Sequence, residues 1–359
     1  MDDFWLGKKV FVTGHTGFKG SWLSMWLTKL GAKVTGYALE PDGDPSLFRL
    51  ASVGAHVDHV FGDVRHAVRL HEAMAASRPD IVFHLAAQPL VREAYTDPVG
   101  TYMTNVMGTV NVLEAIRASG TARAVIIVTT DKVYGNKEWM WGYREDERLG
   151  GRDPYSSSKA CAELIVHSYS ESFLKANGVA VATTRAGNII GGGDWSADRL
   201  VPDLLKALAA NQPIRLRYPT SVRPWQHVLA PLHGYLALAA RLHTYGEVYH
   251  GAWNFGPAEE DHLTVHKLAV RLSALWGTVA ITDQIGPKPS QSMHEAMTLK
   301  LDSTKARTRL GWHPQWKLDE ALHRTVEWQK AYLRGADIRS ICLEQINDYE
   351  NAGGEGAAI

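Results

Sequence analysis

From Lys9 to about Asp131 the chain alternates short apolar runs with longer amphipathic stretches. The runs "KVFVTG", "KVTGYAL", "DIVFHLAA" and "AVIIVTT" are interspersed with "GSWLSMWLTKLG" and "NVMGTVNVLEAIRASG". Runs without polar alternation belong to strands covered on both faces, and helices between them carry the crossovers of a parallel sheet. The pattern predicts a doubly wound α/β sheet. The amphipathic segment "SSSKACAELIVHSYSESFLKANG" and the strand "VAVATTRAGNIIG" continue it to about Ile190. There the texture changes. "GGGDWSADRLVPDL" is rich in glycine and turn formers, and the short strand "PIRLR" and helix "TVHKLAVRLSALWG" follow among prolines. The reading is a doubly wound domain of residues 1–190 plus 222–257 and a smaller mixed α/β lobe of 191–221 plus 258–335. Residues 336–359 form a C-terminal extension ending in "NAGGEGAAI", which is expected to fray.

Composition narrows the partners. The 38 basic and 38 acidic residues cancel, so no global field points to nucleic acid or an anionic membrane, and a metabolite is the expected partner. Cys161 and Cys342 stand far apart, in no disulfide or zinc spacing. No metal site is expected. The acidic opening "MDDFWLGKKV" has no apolar leader and no later run is long enough to span a bilayer, so a cytoplasmic location is expected.

The first strand runs into "GHTGFKG", where Gly14, Gly17 and Gly20 stand three apart at the mouth of a helix. The spacing differs from the usual G-x-G-x-x-G, but the physics is shared. One glycine allows the tight turn, one admits a diphosphate to the backbone amides, and one lets helix pack on strand. This is the nucleotide end of a Rossmann-type sheet, with Thr16 inside the turn and Phe18 and Lys19 offering backbone amides. Asp63 and Val64 are expected beside an adenine, and Leu85, Ala86 and Ala87 under the cofactor. The second strand tip carries Tyr37 and Ala38, with Glu40 only later and no arginine for a 2′-phosphate, which favours NAD over NADP.

Tyr155 and Lys159 lie four apart on one helical face. An adjacent ammonium is expected to lower the phenol pKa, so that Tyr155 can take a hydroxyl proton while Lys159 holds the nicotinamide ribose. The strand "IIVTT" ends at Thr130 and is followed by Asp131 and Lys132. If both faced each other they would cancel, so they are expected to diverge into a pocket.

Together these segments resemble the extended short-chain dehydrogenase/reductases. In long stretches such as "TTDKVYGNKEWMWGYRE", "RAGNIIGGGDWSADRLVPDL" and "RPWQHVLAPL" the chain is similar to the CDP-glucose 4,6-dehydratases, from about Lys8 to Pro314. The resemblance implies oxidation at sugar carbon 4, loss of water across carbons 5 and 6, and hydride return to carbon 6 with NAD regenerated. It makes Asp131 the general acid and puts Lys132 at the base position, where related enzymes carry glutamate. A lysine serves as base only when neutral, so a phenolate or a water remains an alternative. Asn105 joins the cofactor residues by the same resemblance.

The resemblance also assigns Asn188, Arg199 and Arg223 to the substrate, a nucleotide sugar, with CDP-glucose as its form. Arginine suits a diphosphate because its planar fork bonds two oxygens at once. His294 and Glu295 are further candidates for the cleft, and Trp139, Trp141 and Trp195 for stacking on a base or ribose. A homodimer formed through a four-helix contact is implied too. The alternatives are a nucleotide-sugar 4-epimerase, which needs Tyr155 and Lys159 but not Asp131, and a non-catalytic NAD-binding module.

Overall fold

The computed structural model describes residues 2–41, 43–278, 281–285 and 297–353. Seven strands form one parallel sheet: β1 (Lys9–Thr13), β2 (Lys33–Ala38), β3 (Asp58–Phe61), β4 (Ile81–His84), β5 (Ala124–Val128), β6 (Ala180–Ala186) and β7 (Gly251–Phe255). Their spatial order is β7-β6-β5-β4-β1-β2-β3. The order reverses between β1 and β4, whose register pairs Thr13 with His84. Ligands of open α/β sheets bind outside the strand C-termini at such a reversal. Every residue of β4, β5 and β6 is buried, as unbroken apolar runs require.

Helices cover both faces. On one, α1 (Phe18–Lys29) and α6 (Leu229–Tyr245) share a core with Trp22, Trp26, Phe83, Ile126 and Trp253. On the other, α2 (Ala67–Ser77), α3 (Gly108–Ser119) and α4 (Pro154–Tyr169) lie across the sheet over Phe11, Val82, Val125 and Ile127. A separate core gathers Val201 and Leu204 of α5 (Leu200–Ala209), Leu268 and Leu272 of α7 (Val265–Trp276), and Leu318 and Leu322 of the helix Leu318–Leu333. Short strands bring the two parts together: Ile189–Ile190 pairs with Gln226–His227, and Val222–Pro224 with His262–Thr264. The last helix, Ile338–Ala352, docks on α1, where Trp26 Nε1 donates to Glu350 Oε1 at 2.7 Å. Of the end expected to fray, Asn351 and Ala352 instead close this helix, and the residues beyond Gly353 lie outside the described part. No described helix is long and apolar enough to cross a membrane.

Candidate active site

β1 delivers the chain to Gly14, which turns at φ +77. A Cβ there would lie 2.7 Å from the Ala86 nitrogen, and one on Gly20 would collide with the Gly14 carbonyl. Packing therefore demands the first and third glycines. Gly17 is different. It is exposed, and a Cβ would meet only the Gly14 oxygen at 3.5 Å, an ordinary contact. It also stands at the N-cap of α1 with no side-chain hydrogen bond to the helix, so the first amides of α1 are not satisfied by a cap. A bare helix N-terminus behind a side-chain-free turn fits the diphosphate of NAD. Thr16 Oγ1 donates to the Leu39 carbonyl at 3.0 Å, tying the turn to the tip of β2, where Ala38 and Leu39 face the cavity.

The floor is built from β4. Thr13 Oγ1 accepts from the Leu85 and Ala86 amides at 3.2 Å each and shares a 2.7 Å hydrogen bond with His84 Nδ1. Asn105 stays buried behind this floor: its Nδ2 donates to Gln88 O and to Ser158 Oγ, and its Oδ1 accepts from Gln88 N. It holds the "HLAAQ" loop onto α4. Asp63 is engaged by Arg65, whose Nε and a terminal nitrogen donate to Asp63 Oδ2. Of the expected cofactor residues, Asp63, Val64 and Asn105 stand back from the cavity wall, while Gly14, Thr16, Gly17, Phe18, Lys19, Gly20, Leu85, Ala86 and Ala87 line it.

α4 opens with a capping box between Asp153 and Ser156 and a proline in its first turn, which fix where Tyr155 points. Tyr155, Lys159 and Glu163 then succeed one another every four residues and are all buried. Glu163 is held by Arg185 through two hydrogen bonds of 2.9 Å, and it accepts from Thr129 and Thr183 at 2.6 Å each. The second half of the guanidinium reaches Tyr134 Oη at 2.8 Å, and that phenol in turn donates to Asn254 Oδ1. Lys159 Nζ donates to the Val128 carbonyl at 3.0 Å. Burial pulls its pKa down to about 8, against the attraction of Glu163. The expected lowering of the Tyr155 phenol is reversed. Burial pushes it up to about 12, outweighing a hydrogen bond with Thr130 and the charge of Arg199.

At the tip of β5, Thr130 Oγ1 donates to Asp131 Oδ1 at 3.1 Å. No ion pair joins Asp131 to Lys132 among the described residues. Asp131 is buried, and burial raises its pKa, although Lys132, Thr130, Arg223 and Lys19 all pull it down. A carboxyl pKa moved upward favours proton donation.

Thr130, Asp131, Lys132, Tyr155 and Lys159 open on one cavity of about 1370 Å³, more than a single small ligand needs. Asn188, Arg199 and Arg223 line its far end. Arg199 is tied to Asp194 at 2.9 Å, and Arg223 donates to the Val222 and Met297 carbonyls. The stacking expectation does not hold for the three tryptophans. Trp139 packs on Tyr143 and Trp141, Trp195 packs on Trp328 and Tyr332, and none of the three lines the cavity. Trp225 and Tyr218 do, together with Arg92, Arg152 and Arg217. Sequence reasoning passed over these five, although Trp225 stands two residues after Arg223 in a segment already singled out. His294 and Glu295 lie outside the described residues. Among the described residues no group of His, Cys, Asp and Glu is arranged to hold a metal.

A diphosphate cradle and a buried phenol opening on one shared space mark a Rossmann-type enzyme that uses a dinucleotide to act on a second ligand. A family model described as GDP-mannose 4,6 dehydratase matches residues 11–325, and the chain belongs to that family. A CDP-glucose 4,6-dehydratase of Salmonella typhimurium is 50% identical over 98% of this chain and 98% of its own. A dTDP-glucose 4,6-dehydratase of Streptomyces griseus is 31% identical over 89% of this chain and 93% of its own. Among solved structures, a UDP-glucose 4-epimerase of Thermotoga maritima with UDP-glucose aligns with a TM-score of 0.79 at 22% identity, over 90% of this chain and 99% of that one. A dTDP-glucose 4,6-dehydratase of Bacillus anthracis in complex with NAD gives 0.74 at 22%, over 92% and 99%. At such identities these two structures speak for the fold.

Proposed function

We infer that this chain is an NAD-dependent lyase that converts CDP-D-glucose to CDP-4-keto-6-deoxy-D-glucose and water. The observation that carries the reading is the meeting of Tyr155 and Asp131, whose pKa burial raises, on the cavity floored by the glycine turn. The 50% identical relative supplies the nucleotide and the sugar. When bound, NAD would supply the acceptor and later donor of the hydride moved from carbon 4 to carbon 6, and a cationic ring that would favour a neighbouring phenolate. Gly14, Gly17, Gly20 and the first amides of α1 hold its diphosphate. Lys159 binds the nicotinamide ribose, and Tyr155 takes the proton of the carbon 4 hydroxyl. Asp131 then protonates the departing carbon 6 hydroxyl. Two further lysines, Lys132 and Lys19, reach the same cavity. Asn188, Arg199 and Arg223 receive the nucleoside diphosphate. A 4-epimerase would use Tyr155 and Lys159 alike but gain nothing from an acid at 131.

The proposal extends to a cytoplasmic homodimer. Val99, Tyr102, Met103, Met107, Leu164 and Phe173 are exposed on α4 and on the neighbouring segments packed beside it, an apolar face suited to a second copy. The division into 1–190 with 222–257 and 191–221 with 258–335 belongs to the same reading; the core of Val201, Leu268 and Leu322 supports a lobe there, while Trp312 and Trp328 of 258–335 pack into the core of the sheet.

The test is direct. Purified protein is incubated with NAD and, in turn, CDP-, dTDP-, GDP- and UDP-glucose, and products are identified by mass. Loss of one water from CDP-glucose is the expected result. Recovery of CDP-galactose, or NAD binding without conversion of any of the four, contradicts it.

A further inference from the structure

Arg92, Asp198 and Arg217 come from separate parts of the chain and meet on the wall of the cavity. Arg92 belongs to the short helix Val91–Thr96 that follows β4, Asp198 stands directly before Arg199 at the start of α5, and Arg217 follows the short strand Ile214–Leu216. Arg92 Nη1 lies 3.0 Å from Asp198 Oδ1, and Arg217 Nη1 donates to the same oxygen at 2.8 Å. Arg217 Nη2 also donates to the Asp198 carbonyl at 3.0 Å and stands 3.9 Å from Asp203 Oδ2. Two guanidiniums converging on one carboxylate oxygen make an anion site, and its occupant here is a side chain of the protein itself.

The neighbouring pair is built differently. Asp194, which holds Arg199 at 2.9 Å, is buried and accepts from the Ser196 amide at 3.0 Å, so that pair is a fixture. Asp198 is exposed, with 43% of its side-chain surface accessible. Exposed ion pairs of this kind shift an equilibrium by only a few-fold. Asp198 also turns at φ +62, a left-handed backbone that a residue other than glycine keeps only while its surroundings impose it, and the hydrogen bond from Arg217 to its carbonyl is one such constraint. A diphosphate brings two negative charges where the carboxylate brings one, and each guanidinium can bond two of its oxygens. The exchange therefore favours the ligand.

We propose that Arg92 and Arg217 bind the diphosphate of the nucleotide sugar, and that Asp198 is a tethered competitor that occupies them until the substrate displaces it. This rests on the dehydratase reading and adds to the anion contacts of Arg199 and Arg223 one from the sheet side of the cavity, because Arg92 comes from the segment after β4. Asp198 lies one residue from Arg199, so the exchange takes place beside a group already turned to the same ligand. A ligand without anionic charge cannot release the two arginines, and the competitor thereby raises selectivity at the expense of affinity.

CDP is the probe, titrated by calorimetry into the NAD-loaded protein. Asp198→Asn removes the charge, and asparagine tolerates the left-handed backbone. It is expected to bind CDP about 3- to 10-fold more tightly than the parent. Arg92→Met and Arg217→Met are each expected to weaken CDP about 10-fold, while NAD binding, read by tryptophan fluorescence, stays within a few-fold in every variant. With both arginines replaced, adding Asp198→Asn is expected to change CDP affinity by less than about 2-fold, because nothing remains to compete for. A carboxylate that merely repelled the ligand would still give its gain there. The proposal is overturned if Asp198→Asn leaves CDP affinity at the parent value or lowers it, if replacing both arginines leaves it unchanged, if the gain persists without them, or if a variant loses NAD binding as well. A parent that binds no CDP overturns the dehydratase reading and the competitor with it; where the parent binds CDP, a failure among the variants strikes the competitor alone.

Discussion

The carboxyl of Asp131 owes its position to a glycine just beyond a neighbouring strand. At Gly187, just past β6, a Cβ would lie 2.9 Å from Asp131 Oδ2 and 2.6 Å from the Pro224 ring, so any side chain there pushes the acid aside. Gly187→Ala is expected to slow dehydration about 10- to 100-fold through this displacement alone, with circular dichroism unchanged. A rate equal to the parent removes the need for Asp131 at its present place. Asp131→Asn keeps the shape and removes the proton, and about 10²- to 10⁴-fold is expected from that change, measured as ketosugar formed per enzyme. The adjacency of Thr130, Asp131 and Lys132 was legible in the sequence. The reason for Gly187 was not, because it exists only once the ends of β5 and β6 lie side by side. The Tyr155 phenol shows the same limit: spacing revealed the neighbouring lysine, but burial, which spacing does not report, decides the direction of the shift.

α4 works as a ruler, with Tyr155 at the reaction, Lys159 behind it and Glu163 anchoring the row to β6 through Arg185. Both charges of this last pair are buried, and both carboxylate oxygens and all three guanidinium nitrogens are hydrogen-bonded. Glu163→Gln leaves the guanidinium uncompensated, and a loss of about 3–5 kcal/mol is expected, seen as a lower denaturant midpoint with an unchanged slope. A loss under about 1 kcal/mol would mean that water or relaxation satisfies Arg185. The pattern of apolar runs revealed the strands that became β1, β2, β4, β5 and β6. It does not mark β3, an edge strand that reads "DHVF" and is half-exposed, or β7, whose "GAWNF" includes glycine and asparagine. The arginine inside "VAVATTRAG" was the visible sign of the buried pair. Its partner, on a helix earlier in the chain, could not be named without the fold.

For the molecule as a whole, burial sets the response to acid. His15, His84, His227 and His233 are buried, and desolvation lowers them to about 4, 3, 3 and 4. In the unfolded chain each takes a proton below about pH 6.5. Between those limits the unfolded state binds more protons, so stability falls as pH falls, by up to about 1.4 kcal/mol per pH unit for each histidine. The melting temperature is expected to drop from pH 6.5 to 5 by calorimetry, with raised carboxyls such as Asp131 offsetting part of the loss. A flat profile across that range would contradict the buried, neutral state of these rings. The common cavity was the least legible feature of all. Its walls come from residues as far apart as Gly14 and Val265, and only the reversal in strand order brings them to one place.

The clamp of Glu350 on Trp26 and Lys29 ties the helix Ile338–Ala352 to the helix whose other end presents the glycine turn. Opening of this clamp is expected to be felt along α1 at the glycine turn, so that a change at Glu350, remote from the cavity, loosens the grip on the nucleotide.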